Sequence, residues 1–339
     1  MLGSIVVCLG AVLVLCMINR YWPPDYDALE VRAANVDLPV AAGIELEVVT
    51  WNVGYAALGQ EADFKLDGGK SLRALSRNTI NEAATKLAAD LAIKPADVIC
   101  LQEVAKSSYL TRGVDILQIF DHALLRRTRL FWADMITHWV PPPWRFRHGM
   151  ATYTSCDLAD AYIMAIPGAE ALFGGVIRKC YVGVLSHIPI VETDKNWIVI
   201  NLHLPIFNTS TAAQVAYLEA IFSTAQTYYD NGHFVILAGD WNMRLADMEF
   251  PHTDDPSKVE WVNDLPAGVL PSDWSVVADT SVPSVRALHS PYRHGSTFTT
   301  VIDGFVVSPN VKVATCAALN LGFRHSDHNP VRGRFRALL

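Results

Sequence analysis

The sequence predicts a mixed domain of the α/β or α+β class that follows an apolar amino-terminal segment. Apolar runs typical of strands alternate with stretches of helical periodicity, and no fixed-period repeat is present. The 339 residues are 51% hydrophobic and only 18% charged, which is typical of a compact globular protein and excludes a disordered or fibrous one. Polar side chains follow several of the apolar runs, as is typical of an enzyme of this class.

The overall charge limits the classes of partner. A formal net charge of -7 argues against a protein that coats nucleic acid through bulk positive charge, because phosphate binding depends on clustered Lys and Arg. A local basic groove is still compatible with this balance.

The uncharged run at residues 2–18 predicts a membrane anchor or an export signal, since its length is close to the minimum of roughly 17 residues for a membrane-spanning helix. No small-residue cleavage site follows the run, which favours a single-pass anchor at residues 1–22 over a cleaved signal and a secreted protein. The flanking charge weakly favours a catalytic domain outside the cytoplasm. We expect a linker at 23–43 and the catalytic domain at 44–339.

Strands are predicted where apolar runs are bounded by polar or turn-forming residues. The expected strands, in chain order, are 45–53, 96–104, 149–155, 180–186, 196–204, 234–242, 296–308 and 329–335. Two helices are predicted at 71–91 and 212–229, because apolar residues recur there at the spacing of one helix face.

Polar side chains stand at or near the ends of these predicted strands. Because such ends meet at one rim of a sheet, we expect the side chains to lie around a common cleft. Oxygen ligands dominate and cysteine is absent, which favours a hard cation such as Mg²⁺ or Mn²⁺ over zinc. The set is Asn52, Glu103, Asn201, His203, Asp240, Asn242, Asp303, Asp327 and His328. Taken singly, Asn52 is typical of a turn, His203 is more typical of a core histidine, and Asp303 before Gly304 is compatible with a turn.

Six short motifs strengthen this interpretation by their order along the chain. They are TWN at 50–52, QE at 102–103, NLH at 201–203, GDWN at 239–242, ID at 302–303 and SDH at 326–328. In this order they resemble the motifs of the endonuclease/exonuclease/phosphatase superfamily, which includes deoxyribonuclease I-like nucleases, abasic-site endonucleases, inositol polyphosphate 5-phosphatases and sphingomyelinases. The resemblance implies an α+β fold of the deoxyribonuclease I-like type, a four-layer α/β/β/α sandwich with the site at one end.

The resemblance also implies which residues bind a metal ion. Asn52 and Glu103 match metal-binding positions of the superfamily, and Asp327 matches a further carboxylate on the metal side. The implied cofactor is Mg²⁺, with Mn²⁺ as an alternative.

The remaining motif residues match catalytic positions. His328 resembles the catalytic histidine, and Asp303 the carboxylate that orients it. Asp240 and Asn242 match the pair that positions or activates the attacking water, and His203 matches a histidine that contacts the scissile phosphate. Either Asp240 or His328 can be the general base on this comparison.

Other segments bear on the subfamily. The sequence DGGKS at 67–71 lacks the first glycine of a P-loop, because Phe64 stands there, but a glycine loop before a helix can still contact phosphate. The segments 51–71, 178–190, 283–286 (PSVR) and 302–311 together resemble a bacterial branch of the superfamily whose members are mostly described only as metal-dependent hydrolases. Arg178 and Lys179 are either phosphate contacts or ordinary cations on a strand edge.

The expected function is therefore a Mg²⁺-dependent phosphoesterase, a monomer, that acts on a phosphodiester or phosphomonoester. The predicted membrane contact through the amino-terminal segment favours a lipid headgroup as substrate, and nucleic acid stays open. A membrane-tethered nuclease of the same fold is the alternative. A catalytically silent binding module is disfavoured, because every catalytic position holds a chemically competent residue.

Overall fold

The computed structural model describes residues 2–21, 24–25, 28–34, 42–93, 96–138, 140, 145–172, 177–206, 211–248 and 250–339. Within them the α-helices are α1 Leu2–Tyr21, α2 Arg77–Ile93, α3 Ile116–Ala123 and α4 Thr211–Asp230. The strands are β1 Glu30–Arg32, β2 Glu45–Asn52, β3 Val98–Ala105, β4 Thr128–Ile136, β5 Arg147–Thr154, β6 Asp160–Leu172, β7 Ile177–Pro189, β8 Asn196–His203, β9 Phe234–Asp240, β10 Met243–Arg244, β11 Asn263–Asp264, β12 Ser275–Val277, β13 Val285–Arg286, β14 Thr299–Thr300, β15 Asp303–Val307, β16 Val311–Ala318 and β17 Val331–Ala337.

The long strands form two sheets that pack face to face. The first sheet has the order β12-β15-β9-β8-β7-β6, and the second has the order β4-β5-β3-β2-β17-β16, with β1 also paired to β4. The sheets are joined through one antiparallel pair, Met135 of β4 and Lys179 of β7. Strands β2 and β3 are parallel, as are β8 and β9, whereas the other neighbours are antiparallel.

Three apolar layers hold the sheets and helices together. Between the sheets, Val48 and Cys100 of the second sheet share one buried cluster with Trp197, Ile236 and Phe305 of the first. A second cluster joins α2 and α3 to the outer face of the second sheet, and a third joins α4 to the outer face of the first. Each sheet is covered on one face by the other sheet and on the other face by helices. Most of its strands are therefore apolar along most of their length and do not alternate. The fold is the predicted α+β four-layer sandwich.

Two predicted elements have different bounds in the structure. Helix α2 starts at Arg77 and not at residue 71, because the Ser76 hydroxyl accepts the backbone N–H of Thr79 at 3.0 Å and caps the helix. The predicted strand at 296–308 is divided into β14 and β15, since the backbone N–H groups of Ile302 and Asp303 donate to the Ser284 hydroxyl instead of a neighbouring strand.

The prediction of a single-pass membrane anchor is wrong. In the part of the chain that the structure describes, no helix is long and apolar enough to cross a membrane.

Part of the predicted linker is attached to the second sheet. Strand β1 pairs with β4, and its Glu30 carboxylate accepts Lys106 Nζ at 2.7 Å and Arg147 Nη2 at 3.0 Å. The divisions of the chain near residues 22 and 43 stay predictions.

Candidate active site

The predicted site residues lie at one end of the two packed sheets. In the first sheet, pairing places His203 beside Asp240 and Asp240 beside Asp303 on three adjacent strands. In the second sheet, Asn52 ends β2 and lies beside Gln102 of β3. The carboxyl ends of parallel strands thus carry the site, as expected.

Glu103 depends on an irregularity in β3. The pairing of β3 with β5 shifts between Leu101 and Val104, and Glu103 has a positive φ of 56°. Such a bulge turns a side chain away from the regular alternation of the strand. Burial raises the pKa of Glu103 to about 8, and the nearby Lys179 acts in the opposite direction.

Asp240 lies at the centre of the site. Its Oδ2 accepts the Asn52 side-chain amide at 2.9 Å, and its Oδ1 accepts the backbone N–H of Asn242 at 2.9 Å. The same carboxylate lies 3.7 Å from His203 Nε2 and 3.8 Å from His328 Nε2. It therefore connects residues of both sheets.

Asn242 is fixed behind Asp240. Its side-chain amide donates to the Leu204 carbonyl at 2.7 Å, and its backbone has a positive φ of 49°. Asparagine tolerates this conformation better than most residues do, which explains the residue type at this turn.

His328 forms a buried pair with Asp303. The Nδ1 atom of His328 lies 2.8 Å from Oδ2 of Asp303, which leaves Nε2 facing Asp240 and, at 3.9 Å, Asp327. Burial alone would lower the pKa of His328, but the three carboxylates together raise it well above its ordinary value. Burial raises the pKa of Asp303 to about 6.

His203 has the opposite electrostatic character. Its Nε2 lies 4.0 Å from Glu103 Oε1, but burial, reinforced by Lys179 and His328, holds its pKa well below the ordinary value. The surroundings thus shift the pKa values of the two histidines in opposite directions.

Asp327 is positioned by a turn that only glycine fits. Gly54 has a φ of +51°, and a Cβ there would lie 2.6 Å from Asp327 Oδ1. Ser326 closes the same turn, since its hydroxyl donates to the Asn52 carbonyl at 2.8 Å and accepts the backbone N–H of His328 at 3.1 Å. This arrangement brings the SDH motif against the TWN motif.

The residues present fit a divalent cation. Oxygen and nitrogen atoms of three predicted catalytic side chains, Asp240, Asp303 and His328, lie within 4.8 Å of one another, and Oδ1 of Asp303 is buried with no hydrogen-bond partner among the described residues. This cluster differs from the predicted metal-binding set, although Asn52 contacts Asp240 and Asp327 lies 3.9 Å from His328. Burial also raises the pKa of Asp327. Several buried carboxylates at one place are stabilised by a hard cation, for which carboxylate and amide oxygens are suitable ligands.

Asn201, one of the polar strand-end residues, has a structural role. It is fully buried, its Oδ1 accepts Gln102 Nε2 at 2.7 Å, and its amide donates to the Ala151 carbonyl at 3.2 Å. It therefore links β8 of the first sheet to β3 and β5 of the second, directly beneath the catalytic edge.

Lys179 is a site residue that charge alone did not distinguish from Arg178. Strand alternation puts the two on opposite faces. Lys179 is only 9% exposed and interacts electrostatically with Glu103 and His203, whereas Arg178 lines a separate small cavity near the end of α1. The alternation of side chains along β7 predicts that Arg178 and Lys179 lie on opposite faces of the sheet, but it does not predict which face carries the site.

Arg286 of the PSVR segment supports the site from behind. Its guanidinium is 1% exposed and donates to the carbonyls of Leu58, Gly59 and Ala62 at 2.6 to 3.1 Å. Its backbone N–H donates to the Asp327 carbonyl at 3.0 Å. It thus attaches the loop after β2 to the SDH turn.

Replacing Arg286 with Met is expected to lower the free energy of unfolding by about 3 kcal/mol, because three buried carbonyls lose a charged donor. Urea denaturation measures this change, with the exposed Arg293→Met as the matched control. A loss below about 0.5 kcal/mol, the size of an ordinary surface substitution, would contradict the role given to Arg286.

The fold and the site together define a hydrolase of phosphoester bonds. The model of the endonuclease/exonuclease/phosphatase family matches residues 49–328, a range that includes every predicted site residue. The chain belongs to the endonuclease/exonuclease/phosphatase family.

Solved structures agree in fold. An endonuclease/exonuclease/phosphatase from Beutenbergia cavernae DSM 12333 has a TM-score of 0.56 at 15% identity, with 86% of this chain and 72% of that chain covered. D. rerio TDP2 complexed with a single-strand DNA product has a TM-score of 0.54 at 15% identity, with 86% and 99% covered. At this identity the likeness shows the fold alone. A comparison with curated proteins finds no significant match.

Proposed function

We propose that the protein is a Mg²⁺-dependent phosphoesterase that hydrolyses a phosphodiester by in-line attack of water. The observation that carries this proposal is the position of Asp240, which is bonded to Asn52 and faces the Nε2 atoms of both His203 and His328. We infer that the phosphate and the attacking water react beside Asp240, His203 and His328.

The roles follow from the contacts of each side chain. Asp240, held by Asn52 and by the backbone of Asn242, orients the attacking water and takes its proton. His328, with Nδ1 held by Asp303, presents Nε2–H to a phosphoryl oxygen. His203 contacts the same phosphate from the first sheet.

Asn52, Glu103 and Asp327 would hold the metal ion. Bound there, Mg²⁺ supplies positive charge that stabilises the phosphoryl oxygens in the transition state. The pKa of Glu103, raised by burial to about 8, supports a place for a cation beside this carboxylate.

Hydrolysis of bis(p-nitrophenyl) phosphate by the full chain tests the proposal. We expect turnover with Mg²⁺ or Mn²⁺, none with EDTA, and recovery when Mg²⁺ is added back. Equal rates in EDTA and Mg²⁺, or no turnover by the folded chain with either ion, would overturn it.

Lys179 is expected to act on the substrate phosphate through its charge. Lys179→Gln should lower kcat/KM about 10- to 100-fold, since a cation next to a developing phosphate charge is lost in a water-poor site. The control is Lys195→Gln, at the far end of β8, where the lysine pairs with the exposed Asp194. Equal kcat/KM for the Lys179 variant and the wild type would remove Lys179 from the site.

A nucleic-acid strand is the substrate class with the most support. D. rerio TDP2, which shares the fold, forms a complex with a single-strand DNA product. The comparison supports a test with oligonucleotides alongside sphingomyelin and phosphoinositides.

A further inference from the structure

Three arginines share an open cavity outside the site described above. The cavity has a volume of about 450 Å³ and its lining includes Arg73, Ser76, Arg77, Ser108, Tyr109 and Arg112. We call it the arginine cavity. Among the described residues that line the cavity, Leu75 is the only large aliphatic one, and it is exposed. A lining of this composition suits an anion and a sugar better than an acyl chain.

The arginines have no acidic partners. Among the described residues, no ion pair joins Arg73, Arg77 or Arg112 to a carboxylate, although the chain has 34 Asp and Glu against 27 Lys and Arg. Like charges held together in this way repel one another until an anion binds between them.

Two of the three guanidinium groups are held in place. Arg73 lies over the ring of Tyr109, 4.1 Å from its centroid, and Arg112 donates Nε to the Ala74 carbonyl at 2.7 Å. Arg77 begins α2, and the first backbone N–H groups of a 17-residue helix add positive potential at the same place. Fixed guanidinium groups bind phosphate oxygens with little further loss of conformational entropy.

The arginine cavity is connected to the active site through a short series of side chains. Ser108 in its wall bonds His148 Nε2 at 2.8 Å, and the His148 ring lies 4.7 Å from the ring of Tyr55. Tyr55 follows Gly54, at which a Cβ would meet Asp327, and the charge of Glu103 raises the pKa of the Tyr55 hydroxyl.

The cavity is also built from the loops that leave the catalytic edge. Arg73 and Arg77 come from the segment that follows β2, which ends at Asn52. Ser108 and Arg112 come from the loop after β3, which carries Glu103. The two anion-binding regions therefore stand on the same rim of the second sheet.

We propose that the arginine cavity binds a backbone phosphate of a nucleic-acid strand whose scissile phosphodiester lies in the active site. This inference rests on the proposed phosphodiesterase function. A strand is favoured because it carries further phosphates along its length, so that one ligand occupies both places, and because an arginine stacked on Tyr109 suits a sugar-phosphate backbone beside aromatic rings.

Binding of a fluorescein-labelled oligothymidylate of roughly 12 nucleotides to the full chain in EDTA tests the proposal, since no turnover occurs without metal. Arg73→Gln/Arg77→Gln should weaken binding at least tenfold and reduce the slope of log Kd against log salt by about 0.7, the value for one phosphate of a single strand that is no longer neutralised. Arg77→Gln alone should give a smaller loss in the same direction. Arg77 is exposed and makes no hydrogen bond or ion pair among the described residues, so this variant keeps the test valid if the double variant fails to fold.

The matched control is Arg126→Gln. Arg126 is exposed and precedes β4 at the opposite end of the second sheet, where Thr128 pairs with Thr154 and Thr154 with Val98, the first residue of β3. This variant removes the same charge and should bind the oligonucleotide as the wild type does.

Three outcomes would overturn the proposal. The first is equal affinity and salt slope for the arginine variants and the wild type. The second is an equal loss with Arg126→Gln, which would show bulk charge only. The third is no oligonucleotide binding by the wild type together with arginine-dependent binding to vesicles that contain phosphatidylinositol phosphate, which would assign the cavity to a lipid headgroup. A failure of the phosphodiesterase function would show separately, as absent hydrolysis of bis(p-nitrophenyl) phosphate.

Discussion

Asp240→Asn is expected to lower kcat for phosphodiester hydrolysis by about 10³- to 10⁴-fold. The substitution keeps the size of the side chain but removes the charge that accepts two N–H donors and faces two histidines. The carboxamide must also turn an NH₂ group toward either Asn52 or the backbone of Asn242, so one donor loses its acceptor. The loss should therefore appear in kcat much more than in KM.

The measurement is steady-state hydrolysis with saturating Mg²⁺, combined with a urea unfolding curve to show that the variant is folded. Asp157→Asn is the matched control, because Asp157 is exposed and follows β5 at the end of the second sheet away from the site. Retention of more than about a tenth of wild-type kcat would contradict a general-base or water-orienting role for Asp240.

His328→Ala should have two effects. It removes the ring that presents Nε2 to the site, with an expected loss of about 10²- to 10⁴-fold in kcat. It also leaves Asp303, which is fully buried, without its 2.8 Å partner. Breaking a buried pair in this way costs about 3 to 5 kcal/mol of unfolding free energy.

The double variant Asp303→Asn/His328→Ala separates these effects. Removing the charge of Asp303 as well should recover part of the lost stability but none of the lost activity, because the two residues form one buried pair whereas, in the proposed mechanism, only His328 contacts the substrate. Full additivity of the two unfolding free energies would contradict the buried pair. A wild-type rate in His328→Ala would contradict the catalytic role.

The sequence predicts the residues of the candidate site better than it predicts the buried residues that hold the site in place. Polar residues at strand ends, in family order, predicted that Asn52, Glu103, His203, Asp240, Asp303 and His328 lie together, and the structure joins each of them to another member by a side-chain contact of 4.0 Å or less. The ends of strands can be predicted from the sequence because an apolar run ends where the strand leaves the sheet. The assignment of metal-binding and catalytic roles to them stays a prediction.

The residues that hold the site in place could not be predicted from the sequence, for a physical reason. Arg286 is fully buried, yet nothing in PSVR distinguishes it from a surface arginine, since its partners are backbone carbonyls of a loop more than 200 residues away. Helix α3 was not predicted because eight residues give little periodicity.

The pairing of β2 with β17 has a consequence for biosynthesis. Residue 50 pairs with residue 331, and β17 lies between β2 and β16 in the interior of the second sheet. A nascent chain therefore carries β2 with one edge unpaired until β17 has been made, and long-range strand pairing of this kind is slow. We expect the newly made protein to depend on a chaperone that shields this edge until β17 leaves the ribosome.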